Sequence, residues 1–239
     1  MTVDGMVTMT NYVLVPGAGG SAWYWHRLVP ELRRRGHEAL AVDLPAADDQ
    51  AGLPEYAAAV LDAIGGTPDP VLVAQSLAGF TAPQVCEKVA ARMLILLNAM
   101  VPAPGETPGE WFASTAEARV RAQAEQAALE GRTVKEEFDV MDAFFHDVPA
   151  DVTAEAMAQG EPVQSSTPMS QRWPLARWPQ VPTRFLQGRD DRFFPPQFQR
   201  RLVRQRLGID LDEMPGGHLV ALSQPVQLAD RLEGYLSGR

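Results

Sequence analysis

The stretch VLVAQSLAGF, residues 71–80, contains the pattern on which the fold and the chemistry depend. β-Branched and aliphatic residues run without interruption up to a glutamine and then Ser76. Small residues crowd this serine, with Ala74 before it and Ala78 and Gly79 after it. Such a pattern indicates either an ordinary strand-to-helix turn or a turn that presents a nucleophilic serine, because strand and helix pass close together at such a turn.

The stretch is one of several short apolar runs that alternate with longer amphipathic ones. The apolar runs are mostly continuous, which is typical of strands that are buried on both faces of a parallel sheet. The strand candidates are residues 12–16, 38–44, 71–75, 92–100, 183–188 and 209–216, and the helix candidates are 22–35, 54–64, 77–90, 196–207 and 224–237. This order predicts an α/β fold with a mostly parallel sheet flanked by helices.

The alternation of strands and helices stops between residues 101 and 180. This segment holds polar helical runs and a return rich in proline and tryptophan, and no apolar run in it reads as a core strand. We therefore predict that residues 1–239 form a single domain, with a helical cap at 101–180 inserted over one edge of the sheet.

The composition argues against several classes of function. The net charge is −9 and the arginines are scattered, which disfavours nucleic acid and anionic membrane surfaces as partners. The single cysteine, Cys86, excludes an internal disulfide and a cysteine-based zinc site, and its apolar neighbours predict a buried packing residue. No secretory signal and no membrane-spanning apolar run is visible. We expect a cytoplasmic protein that binds no metal and no cofactor.

The glycine loop, residues 17–22, follows the first strand candidate and allows two interpretations. Its sequence GAGGSA has the spacing of a dinucleotide-binding fingerprint, and Asp43 ends the next strand, where a ribose-binding carboxylate belongs. Alternatively, its small residues let the main chain approach a reacting carbonyl and supply an N–H group to an oxyanion. Two tryptophans, Trp23 and Trp25, would crowd a pyrophosphate, and this favours the second interpretation.

A nucleophilic serine needs a base, and the base needs an acid that orients it, close in space although not in sequence. His218 lies after the last strand candidate, on a loop whose two glycines allow the imidazole to point over the carboxyl edge of the sheet. Asp190 and Asp191 end the preceding strand, so the chain order is serine, aspartate, histidine, as in α/β-hydrolases. We expect the aspartate that is not catalytic to cap the helix near Pro195 or to form a salt bridge.

From end to end the chain resembles the α/β-hydrolase superfamily, in particular the plant methylesterase and hydroxynitrile lyase group and its bacterial esterase relatives. The resemblance rests on the segments VLVPGAGGSAWYW, LVAQSLAGF, QGRDDRFFPPQFQ and GGHLVALSQP. It implies Ser76 as the nucleophile, His218 as general base and acid, and Asp191 as the residue that holds the imidazole. It also implies that the backbone N–H groups of Ala18 and Leu77 form the oxyanion hole.

Departures from this group bear on the reaction. Hydroxynitrile lyases in the group carry a threonine where this chain has Gly17, and a lysine, which handles the charge of cyanide, where it has Leu219; ester hydrolysis is therefore favoured. Pro16 and Gln75 replace histidines of the family next to the site. Pro83 falls inside a predicted helix, where it costs a backbone hydrogen bond.

The cap supplies most of the large side chains from which we expect the substrate pocket to be built, and an apolar pocket suits a small uncharged ester or an aromatic acyl group. The predicted substrate contacts are Gly17, Met100, Trp111, Phe112, Phe145, His146 and Leu219. The cap also carries Phe144 and Met157, and we expect two or three of its large apolar residues to face the substrate.

The sequence thus predicts a serine hydrolase that cleaves a small, largely apolar carboxylic ester through an acyl-enzyme intermediate. Three other bonds stay open, because triad chemistry does not name the substrate: a thioester, a lactone or a carbon–carbon bond. A non-catalytic protein that binds small molecules on a hydrolase scaffold is a further alternative. The sequence does not determine the oligomeric state.

Overall fold

The computed structural model describes residues 9–135 and 137–237, and its centre is a six-stranded sheet whose neighbouring strands are all parallel. The strands are β1 Asn11–Val15, β2 Glu38–Ala41, β3 Val71–Gln75, β4 Met93–Leu97, β5 Thr183–Gly188 and β6 Asp212–Met214. Across the sheet their order is β2-β1-β3-β4-β5-β6. The chain therefore reverses its winding direction between β1 and β3, where open α/β sheets form a crevice at the carboxyl ends of their strands.

Helices cover both faces of the sheet. The helices are α1 Leu28–Arg34, α2 Leu53–Ile64, α3 Ala82–Cys86, α4 Pro108–Leu129, α5 Ala150–Ala158, α6 Thr167–Ser170, α7 Pro196–Leu207, α8 Val220–Ser223 and α9 Pro225–Leu236. Shorter turns are a 3₁₀ turn at Ala22–Trp25, another at Ser76–Phe80 and a π-helical turn at Met141–Phe145.

Two hydrophobic cores result, because successive residues of each strand point to opposite faces of the sheet. One core joins residues such as Leu14 and Val73 to α1 and α9. The other joins Val15 and Ala74 to α2, α3 and α7. This arrangement explains the continuous apolar runs, since the four central strands β1, β3, β4 and β5 are largely buried on both faces.

The predicted α/β fold is confirmed, and the main differences lie on either side of the glycine loop and after Ser76. The single helix expected at 22–35 divides into the first 3₁₀ turn and α1, and the one expected at 77–90 divides into the second 3₁₀ turn and α3. Pro83 consequently lies in the first turn of α3, where an N–H group has no intrahelical partner to lose. The hydrogen-bond cost expected for Pro83 was therefore wrong.

The segment between β4 and β5 contains α4, the π-helical turn, α5 and α6. α4 begins at a capping box, in which the Thr107 hydroxyl accepts the N–H of Glu110 and the Glu110 carboxylate accepts the N–H of Thr107. The backbone N–H of Trp173 donates to the carbonyl oxygen of Glu106 at 2.9 Å, and this bond connects the end of the segment to its start. Within the described ranges, no helix has both the length and the apolar character needed to cross a bilayer.

Candidate active site

Ser76 occupies the sharp turn at the end of β3, and its backbone φ of 52° lies in the left-handed region. This conformation costs a residue other than glycine about 1 kcal/mol, so the surroundings must hold it. The N–H of Met100 donates to the carbonyl oxygen of Ser76 at 2.9 Å. A Cβ atom on Gly79 would lie 2.9 Å from the carbonyl carbon of Met100, which explains why a small residue follows the serine.

The imidazole of His218 lies between the side chains of Ser76 and Asp191. Its Nε2 atom is 3.1 Å from Ser76 Oγ, and its Nδ1 atom is 2.8 Å from Asp191 Oδ2. Ser76 is 9% exposed, His218 2% and Asp191 0%. An imidazole so placed can accept the serine proton during nucleophilic attack, while the carboxylate stabilises the imidazolium that forms.

The acid loop, residues 189–194, surrounds Asp191 with donors. Asp191 Oδ1 accepts the N–H of Phe193 at 2.9 Å and that of Phe194 at 2.8 Å, and Oδ2 also accepts the Gln187 amide at 3.2 Å. Because a buried charge is costly unless it is hydrogen-bonded, these donors hold the carboxylate in its place beside the imidazole.

The hydrogen-bond partner of Asp190 differs from the one that the sequence predicts. Its side chain lies next to the histidine loop, residues 215–219, where Oδ2 accepts the N–H of Gly216 at 2.9 Å. The expectation of a helix cap or a salt bridge was wrong, because in the described part of the chain the carboxylate bonds to the main chain of this loop instead.

Asn98 connects the end of β5 with the histidine loop, and no motif in the sequence marks it. It is fully buried, with a left-handed φ of 46°. Its amide nitrogen donates to the carbonyl oxygens of Gly217 and His218, at 3.0 Å each, and its amide oxygen accepts the N–H of Gly188 at 2.6 Å. The available signal was its position, since it is a polar residue directly after the apolar strand β4 at the carboxyl edge of the sheet.

The backbone N–H groups of Ala18 and Leu77 lie near the serine, and no hydrogen-bond partner among the described residues is found for them. Leu77 follows Ser76 directly and is nearly buried, whereas Ala18 lies on the exposed side of the glycine loop. A pair of unengaged donors beside a nucleophile is what an oxyanion hole requires.

The neighbouring N–H groups of the glycine loop already donate hydrogen bonds to side chains of the protein. That of Gly17 donates to Gln75 Oε1 at 3.1 Å, and that of Gly19 donates to Gln164 Oε1 at 3.0 Å. Gly17 also sits against the serine, because a Cβ atom there would lie 2.8 Å from Ser76 Cβ. Gln75, in the position of a family histidine, therefore fixes the glycine loop next to the nucleophile.

The dinucleotide interpretation of the glycine loop has no support in the geometry. Asp43 Oδ1 accepts the N–H of Ala22 at 2.7 Å, at the start of the 3₁₀ turn where a pyrophosphate would have to bind. A carboxylate in this place repels a phosphate, and a short 3₁₀ turn follows where the fingerprint needs a helix.

Comparison with known proteins identifies the family. The model of the alpha/beta hydrolase family matches residues 12–231, which is most of the chain. The chain belongs to the alpha/beta hydrolase family. This hydrolase is 27% identical over 258 residues to the probable esterase PIR7A of Oryza sativa subsp. indica, which covers 93% of this chain and 95% of the relative.

Two further matches span nearly the whole hydrolase. Esterase PIR7B of Oryza sativa subsp. japonica is 27% identical over 253 residues, covering 93% of this chain and 94% of the relative. The crystal structure of polyneuridine aldehyde esterase superimposes with a TM-score of 0.77 at 19% identity, covering 96% of this chain and 100% of that one. The resemblance expected from the sequence is thus confirmed for the fold and the family.

An aromatic wall made of Phe144, Phe193 and Phe194 surrounds the imidazole of this hydrolase. The three ring centroids lie 5.3, 5.2 and 5.2 Å from the centroid of His218. Phe144 comes from the π-helical turn between β4 and β5, and the other two rings follow Asp191 in the acid loop. The reacting groups are therefore bordered by apolar surface.

The residues predicted to contact substrate divide into different environments. Met100 and Trp111 are almost completely buried, in a core cluster that also contains Leu77 and Phe194. Phe112 is partly buried, with its ring centroid 6.2 Å from those of both Phe193 and Phe194, so it continues the aromatic wall.

Phe145 and Leu219 lie elsewhere, since both pack against the core beneath α1 and α9. The ring that reaches the imidazole is that of the preceding residue, Phe144. The structure therefore brings Phe144, and not Phe145, to the aromatic wall.

His146 lies beside the histidine loop. Its Cε1 atom is 2.8 Å from the position that a Cβ on Gly217 would take, and the next residue, Asp147, accepts the N–H of Gly217 at 2.7 Å through Oδ2. Both ring nitrogens of His146 are buried and have no partner within the described residues.

Proposed function

We propose that the protein is a serine hydrolase that cleaves a small, largely apolar carboxylic ester through an acyl-enzyme intermediate. The observation that carries the proposal is the alignment of Ser76, His218 and Asp191 beside the unengaged N–H groups of Ala18 and Leu77. The esterases among the relatives agree with it.

In the first half of the reaction, Ser76 Oγ attacks the ester carbonyl carbon while His218 Nε2 takes the hydroxyl proton. The N–H groups of Ala18 and Leu77 stabilise the negative charge that develops on the carbonyl oxygen. The bond to the alcohol oxygen then breaks, and the imidazolium gives its proton to the departing alcohol. A carboxylate at Asp191 holds the imidazole in the required tautomer and stabilises its charge.

In the second half, water attacks the acyl-enzyme, and the same imidazole accepts a proton from it. The bond between Ser76 Oγ and the acyl carbon breaks, the proton returns to the serine, and the carboxylic acid leaves. Every proton and bond is accounted for by the side chains of the triad and one water, so we propose no cofactor.

Residues 101–180 act in this proposal as a cap on a single hydrolase domain. Phe144 from this segment packs against His218, and such a ring keeps bulk water from the acyl-enzyme and favours an apolar acyl group. We place Phe112 and His146 at the substrate as well.

Ester hydrolysis is favoured over the elimination of cyanide by two positions. A threonine at residue 17 has no room, because its Cβ would lie 2.8 Å from Ser76 Cβ. Leu219 offers no charge to a cyanide ion. Cytoplasmic location and the absence of nucleic acid as a partner stay predictions from the sequence.

The test is labelling with a fluorophosphonate, followed by intact-mass measurement and a library of esters, thioesters and lactones. The wild-type protein should gain the mass of one adduct, and Ser76→Ala should gain none. The same substitution should lower kcat for the best ester by about 10⁴-fold or more. An unlabelled wild-type protein that is stabilised by ligands without turnover would instead favour the non-catalytic binding protein.

A further inference from the structure

Arg119 projects from α4 toward the aromatic wall. Its Cζ atom lies 5.2 Å from the ring centroid of Phe112 and 5.9 Å from that of Phe193. One helical turn further on, the Gln123 amide donates to the carbonyl oxygen of Phe193 at 3.0 Å, so this face of α4 rests on the acid loop. Phe193 also contacts His218, so the guanidinium and the imidazole have this phenyl ring as a common neighbour.

The surroundings of Arg119 differ from those of the other arginines. It is partly buried, and its Nε atom is buried without a hydrogen-bond partner in the described ranges. No carboxylate or carbonyl oxygen among the described residues bonds to any of its nitrogens. The other partly buried arginines all have such a partner, and they are Arg27, Arg35, Arg132, Arg192 and Arg206.

Among the described residues, Arg119 is therefore a cation without a counter-ion near the reactive centre. Partial burial of an unpaired charge is unfavourable, and it lowers the pKa of the guanidinium, although arginine remains protonated. The faces of Phe112 and Phe193 offset part of this cost through cation–π contacts. A cation–π contact provides no oxygen acceptor for the guanidinium N–H groups, so a ligand can supply one.

We infer that Arg119 recognises a carboxylate on the substrate, so that the ester is largely apolar around the reacting carbonyl but anionic at its far end. The inference rests on the proposed function, to which it adds the substrate class. A carboxylate matches the planar fork of arginine through two parallel hydrogen bonds, which the partly desolvated surroundings strengthen. The phenyl rings of the aromatic wall would hold the apolar part between the two ends.

The test compares anionic esters with neutral ones of the same shape. On the acyl side, monomethyl esters of the straight-chain diacids from succinate to suberate are compared with methyl esters of the monoacids of equal carbon number. On the alcohol side, para-acetoxybenzoate is compared with para-acetoxybenzamide. We expect the wild-type protein to prefer the anionic member in at least one of the two series, by a margin that shrinks as salt is added.

Arg119→Met should lower kcat/KM for the preferred anionic ester by about ten- to a hundred-fold, as expected for a lost charged hydrogen bond, and should change the neutral ester much less. Arg119→Lys should recover part of the loss, since it restores the charge without the fork. Arg121→Met is the matched control: Arg121 is exposed, lies on the same helix and has no bonded partner within the described residues, so both esters should react as in the wild type.

Equal loss for both members of a pair in Arg119→Met would overturn the inference and leave the arginine a packing role. So would a wild-type protein that cleaves neutral esters at least as well as anionic ones. In both of these cases labelling of Ser76 by the fluorophosphonate persists, and the proposed function stands. If no ester is cleaved and Ser76 is not labelled, the proposed function falls and the inference falls with it.

Discussion

The carboxyl edge of the sheet and the segment between β4 and β5 meet at His218, and they are built in different ways. At the edge of the sheet, hydrogen bonds to the fully buried Asn98 and Asp191 hold the loops. The inserted segment reaches the same imidazole through the ring of Phe144, and parts of it are open to solvent, with Phe138 64% exposed.

The difference concerns how much change each region tolerates. Hydrogen bonds weaken steeply when their distance or angle changes, so groups held by them are confined to one arrangement. Contacts between apolar rings depend little on direction, so a different ring can occupy the same volume at small cost. We therefore expect substitutions at the sheet edge to abolish turnover or stability, and substitutions in the inserted segment to alter which substrate is used.

After replacement of the serine itself, the largest effect is expected from Asp191→Asn at the sheet edge. The amide can still accept the N–H groups of Phe193 and Phe194, so folding should be preserved, but it favours the wrong tautomer of His218. We expect kcat for a neutral ester to fall about 10⁴-fold in steady-state assays. Asp190→Asn is the matched control, and a loss as large there would show that the wrong aspartate has been assigned.

Asn98 allows the hydrogen bonds and the backbone strain to be separated. Asn98→Gly and Asn98→Ala both leave the N–H of Gly188 and two carbonyl groups without their partner, which should cost about 3 kcal/mol of unfolding free energy or more. The alanine variant should be about 1 kcal/mol less stable than the glycine variant, because only glycine adopts the left-handed φ freely. Urea unfolding measures both differences, and equal stabilities would show that the backbone there is not strained.

Alanine substitutions of the adjacent residues Phe144 and Phe145 compare a substrate-facing ring with a core ring inside the inserted segment. Phe144→Ala removes a ring from the aromatic wall, and we expect kcat/KM to fall about tenfold with little change in stability. Phe145→Ala removes a ring from a core cluster, and we expect about 2 kcal/mol lower unfolding free energy with a smaller kinetic change. The reverse pattern would mean that the two rings had been assigned to the wrong sides.

The smallest effect concerns Cys86, which packs against the core formed with α2, α3 and α7. Burial raises the pKa of its thiol to about 12. The thiolate, which is the reactive form, is therefore scarce in the folded protein until the pH approaches that value. Iodoacetamide at neutral pH should leave Cys86 almost unmodified and should label it rapidly in urea. Prompt labelling without denaturant would indicate that this side of the sheet opens readily.

The parts of the molecule that could be predicted are those that depend on local pattern. Buried parallel strands need continuous apolar runs, and the turn at Ser76 needs small neighbours, so both leave a mark on the sequence. The pairing of Asp191 with His218 followed from residue type, chain order and family resemblance, and the distances agree with it.

Other features depend on geometry that no local pattern contains. Asn98 acts through three partners that lie about 90 or more positions away along the chain, at residues 188, 217 and 218. The π-helical turn at Met141–Phe145 departs from the usual helical period, so periodicity does not tell which of Phe144 and Phe145 turns toward the imidazole. Asp190 accepts a hydrogen bond from a backbone N–H group. Because every residue except proline carries such a group, the sequence does not indicate which one is the partner.

Hydrogen bonds hold the main chain of the histidine loop: the Asn98 amide donates to two of its carbonyl oxygens, and the carboxylates of Asp190 and Asp147 accept the N–H groups of Gly216 and Gly217. None of these attachments depends on which side chain stands at position 219. An exchange of Leu219 would therefore leave these hydrogen bonds, and with them the main-chain position of His218, in place.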